Sequence, residues 1–111
     1  MQQIQWSDFE KVVIKTGTIL TARLFPEARK PAYQLEIDFG VDGILKSSAQ
    51  ITIHYTVDEL VGMQIVAVVN FPPKQIGPFM SQCLVLGAIN PDGSVVLLQP
   101  SKKTENGLRI A

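Results

Sequence analysis

The sequence contains very little of what metal sites and thiol chemistry require. Among its 111 residues, Cys83 is the only cysteine and His54 the only histidine. A lone cysteine excludes an intrachain disulfide and therefore a disulfide-dense secreted scaffold. Zinc sites need several Cys or His ligands at suitable spacing, so we predict no metal and no cofactor. His54 is interpreted as a surface residue at a strand end, and Cys83 as a small buried hydrophobe.

Motifs for catalysis are missing as well. The G-x-S-x-G pattern that presents a serine nucleophile on a strained turn does not occur. The glycines do not form the phosphate-binding pattern G-x-x-x-x-G-K-S/T. Glu36 and Asp38 share one face of a predicted strand, but no His or Arg is obviously aimed at them in the sequence, which favours a solvated face. We therefore predict that the protein is not an enzyme and has no catalytic residues.

Neither charge nor hydropathy is strongly biased. Ten Lys and Arg balance ten Asp and Glu, which argues against a strongly basic nucleic-acid-binding domain but permits a local basic face. The longest apolar runs have about five residues, against roughly 18 for a membrane span. The first residues lack the basic and apolar segments of a signal peptide. We expect a cytoplasmic protein without membrane insertion, and the length favours one domain over residues 1–111.

What the sequence does contain is a series of short β-strands. Residues 33–39 alternate strictly between apolar and polar side chains, as a half-buried strand does. Further strands are predicted at Ile14–Leu24, Ile44–Ile53, Ile65–Val69, Leu84–Ile89 and Val95–Leu98. Gly17 indicates a bulge or a close backbone approach in the first of them. Asn90–Gly93 is typical of a type I turn, so the last two strands are predicted to form a hairpin.

Two capping boxes predict short helices. Ser7–Glu10 has the S-x-x-E spacing and predicts a helical turn over residues 8–12. Thr56–Glu59 predicts a second short helix, which Gly62 should end. Five or more short strands, with one helix between the third and fourth strand regions, favour an all-β fold. The prediction is an OB-fold, a five-stranded Greek-key barrel with short helices.

Three of the predicted strand regions do not alternate. The continuous apolar runs are residues 65–69, 84–86 and 95–98. Such runs imply that both faces of a strand are covered, and the chain has little helix with which to cover them. A two-fold dimer would bury the apolar surface that a monomer tends to avoid exposing. The alternative is that the N-terminal and C-terminal segments fold over it.

Two loops combine basic and aromatic residues. Arg29 and Lys30 lie between two prolines, and Lys74 follows Phe71, with Phe79 a few positions further on. Cations meet phosphates and rings stack on unpaired bases, which is what looped or single-stranded RNA needs. The alternative is that these are ordinary surface charges and that both phenylalanines belong to the core.

Several segments carry a resemblance to a known family. They are Asp8–Lys11, Thr16–Ile19, Phe25–Arg29, Ile37–Gly40, Ser47–Thr52, Ala67–Pro73 and Val95–Pro100. Together and in this order they resemble the CsaA family, described as export-related chaperones. That family lies within a wider group of tRNA-binding OB domains, which includes the C-terminal domain of some methionyl-tRNA synthetases.

The resemblance implies an OB barrel, a homodimer, no catalytic activity, and binding of tRNA-like RNA and of unfolded or exported polypeptide. In the tRNA-binding relatives, the segment similar to residues 70–84 carries RNA contacts. The RNA-binding residues implied here are Asn70, Lys74, Ser81 and Leu84, with Arg29 and Lys30 from the first loop. Those relatives are richer in Lys and Arg after the Asn-x-x-Pro step. Here Gln75 and Ile76 follow Lys74, which weakens the RNA role and leaves the chaperone role untouched.

Overall fold

The structure, a computed structural model, describes all residues from 1 to 111. Its elements are α1 (Trp6–Glu10), β1 (Ile14–Leu24), β2 (Tyr33–Asp38), a 3-10 turn (Gly40–Asp42), β3 (Ile44–Ala49), α2 (Val57–Leu60), β4 (Gln64–Val68), β5 (Lys74–Ile76), β6 (Phe79–Ser81), β7 (Leu84–Val85), β8 (Gly87–Ile89) and β9 (Val95–Leu97). None of its helices has the length and apolar character needed to cross a membrane.

One antiparallel sheet forms the body of the molecule, in the order β3-β2-β1-β4-β7. The long strand β1 pairs with β4 through its first residues and with β2 through its later ones. The two edges of the sheet meet where Gln82 N donates to the Lys46 carbonyl at 2.8 Å and Ser47 Oγ donates to the Cys83 carbonyl at 2.9 Å. The sheet is therefore a nearly closed barrel, which confirms the predicted all-β, OB-type fold.

The core fills the inside of this barrel. Leu35, Ile37 and Phe39 are completely buried, while the polar residues between them are partly exposed, so the predicted alternation is confirmed. Gly17 lies against this row, and a Cβ added to it would stand 2.7 Å from Ile37 Cγ2 and 2.7 Å from Phe39 Cε1. The close approach predicted at Gly17 is confirmed, and the β-bulge lies a little further on, between Ile19 and Thr21.

Two predicted strand lengths are wrong. β3 ends at Ala49 instead of Ile53, because its partner β2 begins at Tyr33, the residue that pairs with Ala49. The predicted strand 84–89 is two strands: β7 pairs with β4, and β8 pairs with β9. A strand extends only as far as a partner can satisfy its backbone groups, and the partner changes at Leu86.

The predicted capping box is confirmed for α2, whereas the predicted start of α1 is wrong. α2 has the predicted capping box, in which Thr56 N donates to Glu59 Oε1 at 3.0 Å and Glu59 N donates to Thr56 Oγ1 at 3.3 Å. Gly62, at a φ of 90°, follows its end. The predicted start of α1 is wrong: the helix begins at Trp6, because Gln5 N donates to Asp8 Oδ2 at 2.8 Å. The capping interaction lies between Gln5 and Asp8, in place of the capping box predicted between Ser7 and Glu10.

The apolar runs divide into covered and uncovered ones. Residues 65–68 of β4 are buried on both faces, so within a single chain this run already has its cover. Residues 107–110 of the C-terminal segment add to the sheet beside the start of β1, where Ile110 N donates to the Ile14 carbonyl at 2.9 Å. Large apolar side chains stay exposed at Leu84, Ile89, Val96 and Leu98.

Candidate nucleic-acid interface

A short hairpin that the sequence interpretation missed carries much of the candidate site. β5 and β6 pair so that Lys74 lies opposite Ser81. Gly77, at a φ of 55°, and Pro78 make the turn, as a two-residue hairpin turn with glycine first requires. The Gly-Pro dipeptide was the available signal for this turn. Three-residue strands are too short to show the alternation by which strands are recognised.

The hairpin packs against the loop that carries Arg29 and Lys30. The rings of Phe25 and Phe79 lie 5.4 Å apart between centroids, and Phe25 N donates to the Ala32 carbonyl at 3.2 Å to close the base of the loop. Ser48 N donates to Ser81 Oγ at 3.1 Å and ties the same hairpin to β3. Two basic segments that are far apart in the sequence are thereby brought to one side of the barrel.

Two adjoining depressions result. The Arg29 depression, of about 540 Å³, is lined by Glu27, Arg29, Lys30 and Gln75 among others. The Phe71 depression, of about 500 Å³, is lined by Phe71, Ser81, Gln82, Cys83 and Leu84 among others. Ser48, Gln50, Lys74 and Ile76 line both depressions, so the two depressions adjoin, and together we call them the basic groove.

Five of the six residues predicted to bind RNA line the basic groove: Arg29, Lys30, Lys74, Ser81 and Leu84. The sixth, Asn70, is held in a different contact. Its Oδ1 accepts from Val13 N at 3.0 Å and its Nδ2 donates to the Lys11 carbonyl at 2.7 Å. Asn70 thus fastens the end of α1 to the barrel, and its RNA contact stays a prediction.

The basic groove concentrates positive charge in a chain whose net charge is zero. Arg29, Lys30 and Lys74 are exposed, and the only ion pairs in the chain lie elsewhere, between Lys15 and Asp42 and between Arg23 and Glu36. Among the ten acidic residues, Glu27 alone lines the groove. Such local asymmetry can attract an anionic ligand in spite of overall neutrality.

The two phenylalanines have different surroundings. Phe79 packs on Phe25, and the Lys46 ammonium lies 5.9 Å from the centre of its ring. Phe71 is 53% exposed at the rim of the groove. Phe79 therefore contributes to packing, as expected of a phenylalanine that belongs to the interior. Phe71 presents an accessible ring, as expected of one that stacks on an unpaired base.

Three polar lining residues escaped the sequence interpretation: Ser48, Gln50 and Gln82. The signal for the first two was present, because residues 47–50 make the predicted strand unusually polar. Gln82 had no local signal. Its place in the groove depends on the contact between β3 and the segment before β7, where its Oε1 accepts from Lys46 N at 2.9 Å.

His54, Ser94 and Asp92 form a cluster outside the groove. Ser94 Oγ donates to Asp92 Oδ1 at 2.6 Å and lies 2.9 Å from His54 Nε2. Because the serine proton is committed to Asp92, Nε2 must act as the donor to Ser94. The hydrogen bonds that the hydroxyl and the backbone N–H of Ser94 donate to Asp92 lower the pKa of this carboxyl group. The histidine therefore cannot accept the serine proton as a catalytic base would, and the cluster stabilises the turn before β9. His54 is exposed, as predicted, but it lies in a turn instead of at a strand end.

Cys83 lies in the wall of the Phe71 depression. It is 6% exposed, which confirms the prediction of a small buried hydrophobe. Burial raises the pKa of its thiol to about 12, although a hydrogen bond with Ser47 partly offsets this effect. At neutral pH the group stays protonated, and a protonated thiol is a poor nucleophile and a poor metal ligand. No group of three or more His, Cys, Asp and Glu side chains is arranged to hold a metal ion.

Comparison with known proteins shows which family the chain resembles. The sequence model of the family described as "Putative tRNA binding domain" matches residues 14–109. Methionine--tRNA ligase of Bacteroides fragilis is 33% identical over 109 residues, a match that covers 96% of this chain and 16% of the ligase. The chain thus spans about one-sixth of the length of that curated relative.

Solved structures resemble the chain over its whole length. The chaperone CsaA of Bacillus anthracis has 49% sequence identity and a TM-score of 0.95, covering 99% of this chain and all of that one. The CsaA chaperone of Picrophilus torridus has 53% identity and a TM-score of 0.92, with 98% of this chain and all of that one covered. A MetRS-related protein of Pyrococcus horikoshii has 26% identity and a TM-score of 0.88, with both chains fully covered.

Proposed function

Because this chain belongs to the tRNA-binding domain family and, within it, to the CsaA proteins, we propose that it is a non-enzymatic, single-domain binding protein for tRNA or structured RNA. The observation that carries the proposal is the basic groove. Two segments separated in sequence supply three cations without ion-pair partners, Arg29, Lys30 and Lys74, to one surface. A tRNA ligand would make the cytoplasm its place of action.

The phosphate backbone of RNA is the partner that this arrangement suits. Each cation that neutralises a phosphate releases a counterion, so affinity should fall as salt rises. The groove holds few cations, and we expect a shallower salt dependence than that of strongly basic RNA-binding proteins. Gln75 and Ile76, which follow Lys74, supply no further charge.

The test is a titration with total tRNA at several salt concentrations. Lys74→Ala should weaken binding and flatten the plot of log affinity against log salt by roughly one phosphate contact per engaged copy. Lys103→Ala is the matched control, because Lys103 is exposed and lines neither depression. Absence of tRNA binding by the wild-type protein at about 50 mM salt, where the electrostatic contribution is strong, would refute the proposal.

A second candidate function is that of a chaperone for unfolded or export-destined polypeptide. Its supporting observation is the apolar part of the basic groove, where Phe71 and Leu84 are 53% and 49% exposed. An extended apolar segment of a polypeptide could pack against these two side chains. In an aggregation-suppression assay Leu84→Glu should then abolish protection, whereas Lys74→Ala should leave it unchanged.

We also propose that two copies form a homodimer. α1 contains no buried residue, and its Trp6 is 79% exposed. A helix of five residues does not persist in water without tertiary packing. Trp6, Phe9 and Ile110 line an apolar depression between α1 and the chain end, which we call the terminal face. A second copy related by a two-fold axis would cover this surface on both partners.

A further inference from the structure

The Phe71 depression combines three chemical features, of which the phosphate contacts use only the cation. It has an accessible aromatic ring at its rim, uncharged hydrogen-bonding groups in its wall and one cation, Lys74, at its border with the Arg29 depression. No acidic residue lines it. Its volume of about 500 Å³ falls within the range of roughly 300–1,000 Å³ typical of small-ligand sites.

Hydrogen bonds hold the polar groups of its wall in place, and these groups keep donors that are not yet used. The backbone N–H of Lys46 can only donate, so the Gln82 atom that faces it at 2.9 Å must be the carbonyl oxygen. The Nε2 of Gln82 is thereby left with two donor hydrogens, although the side chain is anchored. The Ser81 hydroxyl accepts from Ser48 N at 3.1 Å and keeps its own proton for another acceptor.

We propose that the Phe71 depression receives one unpaired nucleotide of the bound RNA. The base stacks on the Phe71 ring, its edge accepts from Gln82 Nε2, and Lys74 contacts the adjoining phosphate. The proposal rests on the RNA-binding function proposed above and adds to it a preference for RNA with an unpaired base. Paired bases are excluded, since neither their faces nor their Watson–Crick edges are free.

A peptide is the other occupant that an aromatic rim could accept. The wall favours a base, because a nucleobase edge offers ring and carbonyl acceptors in the plane of a stacked ring, where fixed amide donors can reach them. The neighbouring cations favour the same ligand, since a phosphate accompanies every base.

The test compares a short oligouridine with an RNA duplex of the same length, each titrated at about 50 and about 200 mM salt. Phe71→Ala should weaken oligouridine binding between about fivefold and a hundredfold, the range expected for one stacked base. Duplex binding should change less than about twofold, and the salt slope for both ligands should stay as in the wild type, because no charge is lost. Phe71→Trp should retain the affinity, and Val41→Ala, at a residue that is 96% exposed and lines neither depression, is the control.

The outcomes separate the two proposals. Unchanged oligouridine affinity in Phe71→Ala, or an equal loss on the duplex, overturns the nucleotide site while tRNA binding by the basic groove stands. Loss of aggregation suppression without loss of oligouridine affinity overturns it in favour of a peptide. A wild-type protein that binds tRNA but not oligouridine overturns the nucleotide site alone, and one that does not bind tRNA overturns both proposals. Thermal unfolding of each variant verifies that the exposed position is not needed for folding.

Discussion

At the scale of single residues, Gly17 shows how tightly the barrel is filled. Ile37 and Phe39, the side chains that lie over it, have no exposed surface, so they have no free direction in which to move. Interiors packed to crystal-like density accept an additional carbon only by forcing side chains out of their preferred rotamers.

Gly17→Ala should therefore destabilise the protein by roughly 1–3 kcal/mol, since the new methyl group would overlap two fixed side chains. Urea unfolding monitored by far-UV circular dichroism measures the change. Gly93→Asn is the control for added atoms alone: that position is open and has a positive φ, which Asn tolerates better than other non-glycine residues. Equal stability of Gly17→Ala and wild type would mean that the core can yield here.

Cys83 makes a second prediction at this scale, in alkaline solution. Burial raises the pKa of its thiol to about 12, from 9.0 in the absence of burial. Between these values the unfolded chain loses the thiol proton while the folded chain keeps it, so the free energy of unfolding falls as pH rises. The loss should reach about 2 kcal/mol by about pH 10.5.

Unfolding curves of wild type and Cys83→Ala across this pH range isolate the contribution of the thiol, because both proteins share all other titrating groups. The alanine variant should lose less stability with pH than the wild type. Parallel pH dependences would show that the thiol reaches solvent in the folded state.

At the scale of elements, the attachment of α1 depends on Asn70. The helix has no buried residue of its own, and the amide of Asn70 bonds to the backbone of two residues just beyond its end. Arg109 adds a contact from the C-terminal segment, where its guanidinium donates to the Glu10 carbonyl at 2.9 Å. An element held by so few contacts reports sensitively on each of them.

Asn70→Ala should lower the free energy of unfolding by roughly 1–3 kcal/mol, because two hydrogen bonds of about 0.5–1.5 kcal/mol each are lost. Asn70→Asp keeps the acceptor for Val13 N but places a carboxylate oxygen where Nδ2 donates to the Lys11 carbonyl, so it should lose at least as much as Asn70→Ala. The affinity of the folded variant for tRNA should stay within about twofold of wild type, since both polar atoms of Asn70 are already engaged. A tenfold loss of affinity would instead establish the RNA contact that the family resemblance implies.

At the scale of the whole molecule, two apolar surfaces compete as the dimer interface. One is the terminal face around Trp6. The other is the exposed side of the β8–β9 hairpin, where Ile89 is 77% and Val96 44% exposed. The hairpin is internally paired, whereas the short α1 has no buried residue, so the terminal face needs a partner more.

Sedimentation of the wild type at low micromolar concentration should therefore give about twice the monomer mass of 12.2 kDa. Trp6→Glu should shift the protein to the monomer, because a carboxylate would have to be desolvated in the interface. Ile89→Glu should stay dimeric. The reverse pattern would assign the interface to the hairpin, and a monomeric wild type would eliminate the dimer.

Some of the functional surface was open to prediction from sequence. Basic residues at positions 29, 30 and 74 stood out because each lies near prolines and aromatic residues in the sequence. The amide-lined wall did not, since Gln82 gains its role only when β3 meets the segment before β7. Asn70 was singled out by resemblance as an RNA-binding residue, which stays a prediction. Its contact with the end of α1 had no signal in the sequence.

Features that act over a few residues could be predicted from the sequence. The alternation of residues 33–39, the capping box of Thr56 and Glu59, and the turn at Asn90–Gly93, closed by a 2.8 Å bond from Gly93 N to the Asn90 carbonyl, each depend on neighbours along the chain. Three features could be seen only in the folded chain. They are the end of β3, the change of pairing partner within residues 84–89, and the contact between the loop at Arg29 and the hairpin at Lys74. These depend on which distant strand is available for pairing and on contacts such as that between Phe25 and Phe79, and local periodicity carries no information about either.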